Sequence, residues 1–413
     1  MTQFPLRRRL LFLVPFPPRL DAMDGGGRVT AQFLTRLAVR HHVALLYLRT
    51  ASDPPVDDML RENCDLIEEV RRPEISFGLG QRWSRLTSVL RGTPIWATGL
   101  AVAAYGERLS TIARKWRPDI VQIEYHVMGQ YLTALAGCSA PRVLTQHEPG
   151  TAAAEDLWKA NQGFGRLAHY LDMRAWERFE RAIMKEIQAV VVFTERDRQA
   201  VARLTQQTPI VRIPLGTMVS DRPLNPFGYQ PLSLVFVGNY AHPPNIDAAL
   251  RLVQAIFPVV QERHPELQLY IVGDQPPPEV KQLSSPKVIV TGRVPDVTPY
   301  LERAAVVVVP LRLGGGMRVK VLEALAAGKA VVASPLAAEG LEVLDGEQIA
   351  LAETNEDFAK RILHLLGHAD RRASLAARAR TWADANLRWE KSISAYEALY
   401  EEIIARSAAK KHS

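Results

Sequence analysis

The chain has almost no cysteine. Cys64 and Cys138 are the only two in 413 residues, and they stand far apart. A disulfide framework or a Cys-based metal site needs more thiols, closely spaced, so the sequence argues against both and fits a reducing cytoplasm. Long apolar runs are also missing: none reaches the roughly 18 residues that cross a bilayer. The N-terminal "RRR" before "LLFLV" imitates a secretory leader, but the apolar run soon meets Pro15, Pro17 and Pro18. No small-residue cleavage site follows, so the run reads as a first buried strand. G-x-G-x-x-G is absent and no GK[ST] closes a glycine run, which sets aside the dinucleotide fingerprint and the P-loop. No D-x-D spacing occurs, so no metal is expected.

Positive charge is present in excess. The formal charge is +7 and the pI about 9.4. That surplus favours anionic partners: nucleic acid, nucleotide-linked substrates or an anionic membrane face. Hydrophobic content of 47% with 23% charged residues is that of a globular chain with sizeable cores.

The N-terminal half alternates strand-like and helix-like segments. "RLLFLVPF", "HVALLYLR", a run from Ile120, "PRVLTQHE", "QAVVVFTERD" and "IVRIPLG" read as strands. Between them, after a glycine loop, "VTAQFLTRLAVR" has Val29, Phe33 and Leu37 at helical spacing. Residues 75–100 and 167–188 read as longer helical stretches, the latter with Leu167, Leu171, Trp176, Phe179 and Ile183 on one face. The Pro-rich segment 217–233 is the best linker. A second series follows: "LSLVFVGN", "LQLYIVGD", "VIVTGRV", "AVVVVPL" and "KAVVAS" as strands, then a helical tail. Short apolar strands separated by helices predict an α/β chain of two Rossmann-like, doubly wound parallel-sheet domains facing a cleft. The expected bounds are 1–220, 221–385, and 386–413 as a helix packing back toward the first domain.

Residues 314–334, "GGGMRVKVLEALAAGKAVVAS", carry the strongest chemistry. Glycines follow a buried strand and a helix starts near Met317. A helix N-terminus offers free N–H groups and partial positive charge, and glycines let the backbone approach a phosphate. Arg318 and Lys320 add full charges; both reach one anion only if Arg318 lies in the irregular helix entry. Lys320 and Glu323 share a face. Gly328 would cap the helix C-terminus. The competing reading is a flexible turn followed by a surface Lys320–Glu323 ion pair.

This stretch, with "FVGNYAHPPNIDAAL", "LYIVGD" and "VTGRVPDV", resembles the donor-nucleotide region of bacterial group-one, or family-four, retaining glycosyltransferases of the GT-B fold. The resemblance covers most of the C-terminal half and extends weakly into the N-terminal half. It implies that Glu323 holds the donor ribose. It implies donor contacts from Gly238, Asn239, Arg293, Gly314, Gly315, Gly316 and Met317. The commoner family pattern has a second glutamate where this chain has Gly315. It also has Arg and Lys in the loop that here reads "GNYAHPPN". Arg318 and Lys320 are expected to supply those missing cations. Arg293 reads equally as a solvent-exposed loop arginine.

In the N-terminal half "DGGGR" repeats the same physics. The resemblance implies that this loop approaches the donor diphosphate or the acceptor, with Gly25, Gly26 and Gly27 expected at the donor and Arg28 at the acceptor. A plain strand–helix turn is the other reading. His147 ends a strand and matches a family histidine near the donor sugar; Glu124 ends another and is a candidate acceptor ligand. A structural histidine and a solvated glutamate are the ordinary alternatives. The regions around Trp83, Arg85 and Trp96 and around Trp176 could touch a lipid carrier or an anionic membrane, or simply pack.

The resemblance implies transfer of a sugar from a nucleotide-sugar donor to a glycan or lipid-linked acceptor, with retention, in bacterial surface polysaccharide or glycolipid synthesis. Arg318, Lys320 and His147 would be catalytic. The expected place is the cytoplasm, with contact at the inner face of the plasma membrane; no nucleic-acid partner is expected. Two rivals stay open: a two-domain nucleotide-sugar epimerase, and a non-enzymatic basic protein binding nucleic acid or membrane.

Overall fold

The computed structural model describes residues 6–22, 25–74, 92–160, 163–314 and 318–412. Two compact units result. One comprises Gly26–Pro214 with the strand before it and the segment from Ser392 on; the other is built on Leu215–Lys391.

The first unit holds a seven-stranded sheet. Its strands are β1 (Arg9–Val14), β2 (His42–Arg49), β3 (Leu66–Arg71), β4 (Ile120–Glu124), β5 (Arg142–Gln146), β6 (Ala189–Val192) and β7 (Ile210–Arg212). The order is β3-β2-β1-β4-β5-β6-β7 and every neighbouring pair is parallel. The second unit holds six strands: β8 (Ser233–Val237), β9 (Gln268–Val272), β10 (Val288–Gly292), β11 (Val306–Val309), β12 (Val331–Ala333) and β13 (Ala350–Leu351), in the order β10-β9-β8-β11-β12-β13. These are parallel too. Helices cover both sheets, and that is why runs such as "LLFLV" and "VVVV" are apolar at every position: both faces are buried.

Chain order reverses between β1 and β4 in the first sheet and between β8 and β11 in the second. At such a point adjacent crossovers leave on opposite faces, and a crevice opens beyond the strand carboxyl ends.

Three details differ from the sequence reading. Gly25, Gly26 and Gly27 are not a loop; they are the first turn of the helix Gly25–Arg40, whose Val29, Phe33 and Leu37 are buried. The helix Gly163–Met184 buries Trp176 and Ile183, but Leu167 and Leu171 are 57% and 40% exposed. Only its C-terminal part joins the main core of the first unit. The third is the linker, which is pinned rather than loose. Thr217 N–H donates to the Leu387 carbonyl, Leu224 N–H to Ala327 and Tyr229 N–H to Arg303. Cys64 and Cys138 are both free thiols.

Lys329 completes the linker's attachment. It is fully buried, and its ammonium donates to the carbonyls of Asn225 and Glu302. Burial pushes its pKa down to about 8 from 10.5, although Glu302 works the other way. Between those two values the unfolded chain holds a proton that the folded chain has released, so stability rises with pH across that window. Chemical denaturation from pH 8 to 9.5 should show this rise in the native chain and lose it in Lys329→Met. Parallel curves for the two proteins would refute the assignment.

Candidate functional site

The second unit gathers its candidates at the β8/β11 switch point. After β8 the chain passes Gly238 and Asn239 and enters the helix Pro243–Arg251. After β11 it passes Gly314, at φ +105, and enters the helix Val319–Ala326. Two helix N-termini therefore lie beyond adjacent strand ends, each with partial positive charge; the first opens on Pro243 and Pro244, which carry no N–H, so free N–H groups come from the second.

Arg318 is the N-cap of the second helix, with φ −86 and ψ 83, so it lies in the irregular entry and not on the helix face. Its guanidinium packs on Gly314: a Cβ there would lie 3.3 Å from Nη2 and equally 3.3 Å from Pro244 Cγ. Lys320 Nζ donates to Asn245 Oδ1 at 2.5 Å and stands 4.8 Å from the centroid of the Phe236 ring. Asn245 Nδ2 in turn donates to the Asn239 carbonyl at 2.6 Å. Lys320 thus bonds the "GNYAHPPN" segment, the loop without Arg or Lys, and Arg318 and Pro244 of that segment both flank Gly314. Sequence spacing brought Arg318 and Lys320 together; Asn245, which holds Lys320, was not foreseen.

Gly273, just after β9, was also missed. It takes φ +140, and a Cβ there would sit 1.7 Å from the Gly238 carbonyl oxygen. Only glycine permits that contact, so the β8 and β9 ends approach more closely than side chains allow. Glu323 is half-buried in the second turn of its helix; Arg293 is exposed, just past β10. Gly328 takes φ +71 just beyond the helix, the left-handed glycine that ends it. Gly315, Gly316 and Met317 lie outside the described residues, as do Trp83 and Arg85.

In the first unit His147 follows β5 and Glu124 ends β4, the neighbouring strand. The structure gives Glu124 a different place from the one expected. It is 1% exposed and accepts from His147 Nε2 at 2.7 Å and from Gln122 Nε2 at 2.9 Å. It is a buried partner of His147 and not a surface ligand for an acceptor. A carboxylate only accepts, so that bond requires a proton on Nε2. The His147 ring stacks on Tyr125, with centroids 3.9 Å apart and planes 3° apart, and meets Phe193 edge-on at 5.2 Å. Tyr125 itself takes φ +68, strained backbone next to the carboxylate.

Bonded to Gln146, the residue before His147, is Glu180, fully buried. It accepts from Gly150 N–H, Thr151 N–H and Gln146 Nε2, all at 2.9 Å, and from the Thr151 hydroxyl at 2.5 Å. Those bonds cap the helix Gly150–Ala160 and fix the loop that carries His147. Gly26, Gly27 and Arg28 lie beyond β1, and the Arg28 guanidinium turns back to the Ala22 carbonyl at 3.1 Å.

Two doubly wound units, with glycine turns and cations beyond the strand ends, are the architecture of GT-B glycosyltransferases. Two glycosyltransferase family models match separate parts of the chain, each less than half of it. Residues 231–368 match the family "Glycosyl transferases group 1" and residues 24–216 match "Glycosyl transferase 4-like domain". Its fold is that of a sucrose-phosphate synthase from Thermosynechococcus elongatus, with a TM-score of 0.69 at 18% identity over 97% of this chain and all of that one. A glycosyltransferase of Methanocaldococcus jannaschii is 30% identical over 93 residues, 22% of this chain. A 44.6 kDa protein from the cps region of Klebsiella pneumoniae is 24% identical over 155 residues, 34% of this chain. The chain spans 24% and 40% of the lengths of these two relatives. Among the described residues no helix is long and apolar enough to cross a membrane.

Proposed function

We propose that this chain transfers a sugar from a nucleoside-diphosphate sugar to a glycan or lipid-linked acceptor, with retention at the anomeric carbon. The observation that carries the donor half is the pair of cations beside two helix N-termini, Lys320 bonded to the loop after β8 and Arg318 packed on Gly314 after β11. Such a site receives a diphosphate. As the sugar–phosphate bond breaks, negative charge builds on the leaving oxygen, and preorganised cations and N–H groups stabilise it without reorganisation. Glu323 takes the ribose hydroxyls, and His147 faces the sugar with its Nε2 proton held by Glu124. Retention comes from the family likeness; no enzyme nucleophile is assigned, and no metal is needed where the cations already stand.

The acceptor belongs with the first unit. Its helices Gly150–Ala160 and Gly163–Met184 expose Leu157, Leu167, Tyr170 and Leu171 among Arg166 and Arg174, a surface suited to an anionic lipid carrier. The relative from a cps region supports surface polysaccharide as the pathway class.

The test is a thermal-shift screen of UDP, GDP, ADP and TDP with their sugars, followed by transfer of radiolabelled sugar to lipid-linked and free glycan acceptors. One nucleotide series should raise the melting temperature by several degrees and its sugar should appear in an acceptor. Stabilisation by none, or an isomerised sugar with no transfer, would overturn the reading.

A further inference from the structure

The helix Trp389–His412 carries two fully buried tyrosines one turn apart, Tyr396 and Tyr400, against the first sheet. Burial raises both phenols well above their ordinary pKa, so each keeps its O–H. Tyr400 donates to Gln122 Oε1 at 2.9 Å. The Glu124 carboxylate, which can only accept, draws the Gln122 Nε2 to its side, and that leaves Oε1 to accept the Tyr400 O–H. The Gln122 Nε2 is aimed at Glu124 Oε1 at 2.9 Å and at Thr145 Oγ1 at 2.8 Å. Thr145 Oγ1 is within 3.0 Å of the Tyr396 hydroxyl. The second oxygen of Glu124 holds His147 Nε2.

We infer that Tyr400 and Tyr396 are positioning residues for His147, acting through a buried relay of Gln122, Thr145 and Glu124. The inference rests on the reading of His147 as a donor-side group, but the geometry of the relay does not. The bonds from Tyr400 to Gln122 and from Gln122 to Glu124 and Thr145 are directed and join groups removed from water, where a misoriented amide leaves a donor or acceptor unsatisfied. The helix is fixed in register by charge. Glu397 takes Arg40 at 2.6 and 2.8 Å and the buried His41 at 3.0 Å, while Glu401 takes Arg8. A slip of one residue would swing the phenols away from Gln122. Phe33 packs on Tyr396 with ring centroids 4.5 Å apart and closes the same surface.

The experiment is nitrogen-15 NMR of the histidine rings in the full chain, alongside steady-state kinetics. The native chain should show a protonated Nε2 at His147, with a slowly exchanging, downfield ring proton. Tyr400→Phe keeps the ring and removes only the O–H. It should broaden or shift that proton while far-UV circular dichroism stays native, and should lower kcat about five- to twentyfold with little change in KM. Tyr396→Phe provides a second, independent variant should Tyr400→Phe fold poorly, and it should act in the same direction. Thr145→Ser, which keeps the hydroxyl, should restore the native signal that Thr145→Val loses. Unchanged His147 signals in both phenylalanine variants would overturn the relay. Shifted signals in a chain that transfers no sugar at all would uphold the relay and overturn the functional reading instead.

Discussion

Replacing Lys320 by alanine should lower kcat/KM for sugar transfer by about a hundred- to a thousandfold, the usual loss for one preorganised charge at a developing oxyanion. The same change should cost the free protein about 1 kcal/mol or less, since it removes one hydrogen bond to Asn245 and a contact with the Phe236 ring. Asn245 stays anchored by its bond to the Asn239 carbonyl, so the loop keeps its form. Most of the loss should fall on kcat, because charge on the diphosphate grows as the bond breaks and a fixed ammonium gains more there than in the bound ground state. Arg318→Ala should behave similarly but less severely, since its guanidinium lies in the helix entry against Gly314. The double variant should lose less than the sum of the two if both act on one diphosphate. Steady-state rates together with nucleotide titration would decide it. If both single variants bind nucleoside diphosphate and transfer sugar like the native chain, the site has been misplaced.

Gly273→Ala should be the most damaging single methyl in the second unit, destabilising it by more than about 4 kcal/mol. The new Cβ would fall 1.7 Å from the Gly238 carbonyl oxygen, and backbone cannot swing aside as a flexible side chain can. Moving it would strain the ladder that Gly238 N–H makes to the Val272 carbonyl and Tyr240 N–H makes to Asp274, both 2.9 Å. Gly292→Ala is the matched control. It too has a positive φ, +67, but nothing lies within 4 Å of its Cβ position. Only the left-handed penalty remains there, roughly 1–2 kcal/mol. Denaturant melts of the two variants should therefore differ by at least 2 kcal/mol, and equal midpoints would contradict the contact.

The parts of this fold that were legible are those where one local rule suffices. "LLFLV" and "VVVV" announce strands buried on both faces. β3 was not legible, because "LIEEVR" interleaves acids that answer to neighbours: Glu69 accepts from Tyr47 at 3.0 Å and from Arg49 at 2.8 Å. β13 is too short to show a pattern. The glycines of "DGGGR" looked like a loop because a helix's first turn needs no side chains. In the site, Arg318 and Lys320 stand within one motif and could be seen. Asn245 lies 75 residues from the lysine it holds, and Tyr400 lies 278 from Gln122. No spacing rule reaches that far. Glu124 was misread for a related reason: a strand end can be located from sequence, but the histidine that covers it comes from the next strand.

The division of the first unit has a consequence for how the protein is made. Its sheet spans β1 to β7, yet the helix that covers Gln122 and Thr145 arrives only after all of Leu215–Lys391. On the ribosome the second unit, but for a few residues near Gly25, is contiguous and can close as soon as it emerges, whereas the earlier-born sheet must wait for its last helix. The pairing of Arg8, Arg40 and His41 with Glu401 and Glu397 is correspondingly among the longest-range contacts in the chain, hence among the costliest to close during folding. Nascent chains stalled before Ser392 are accordingly the ones that chaperones would need to shelter.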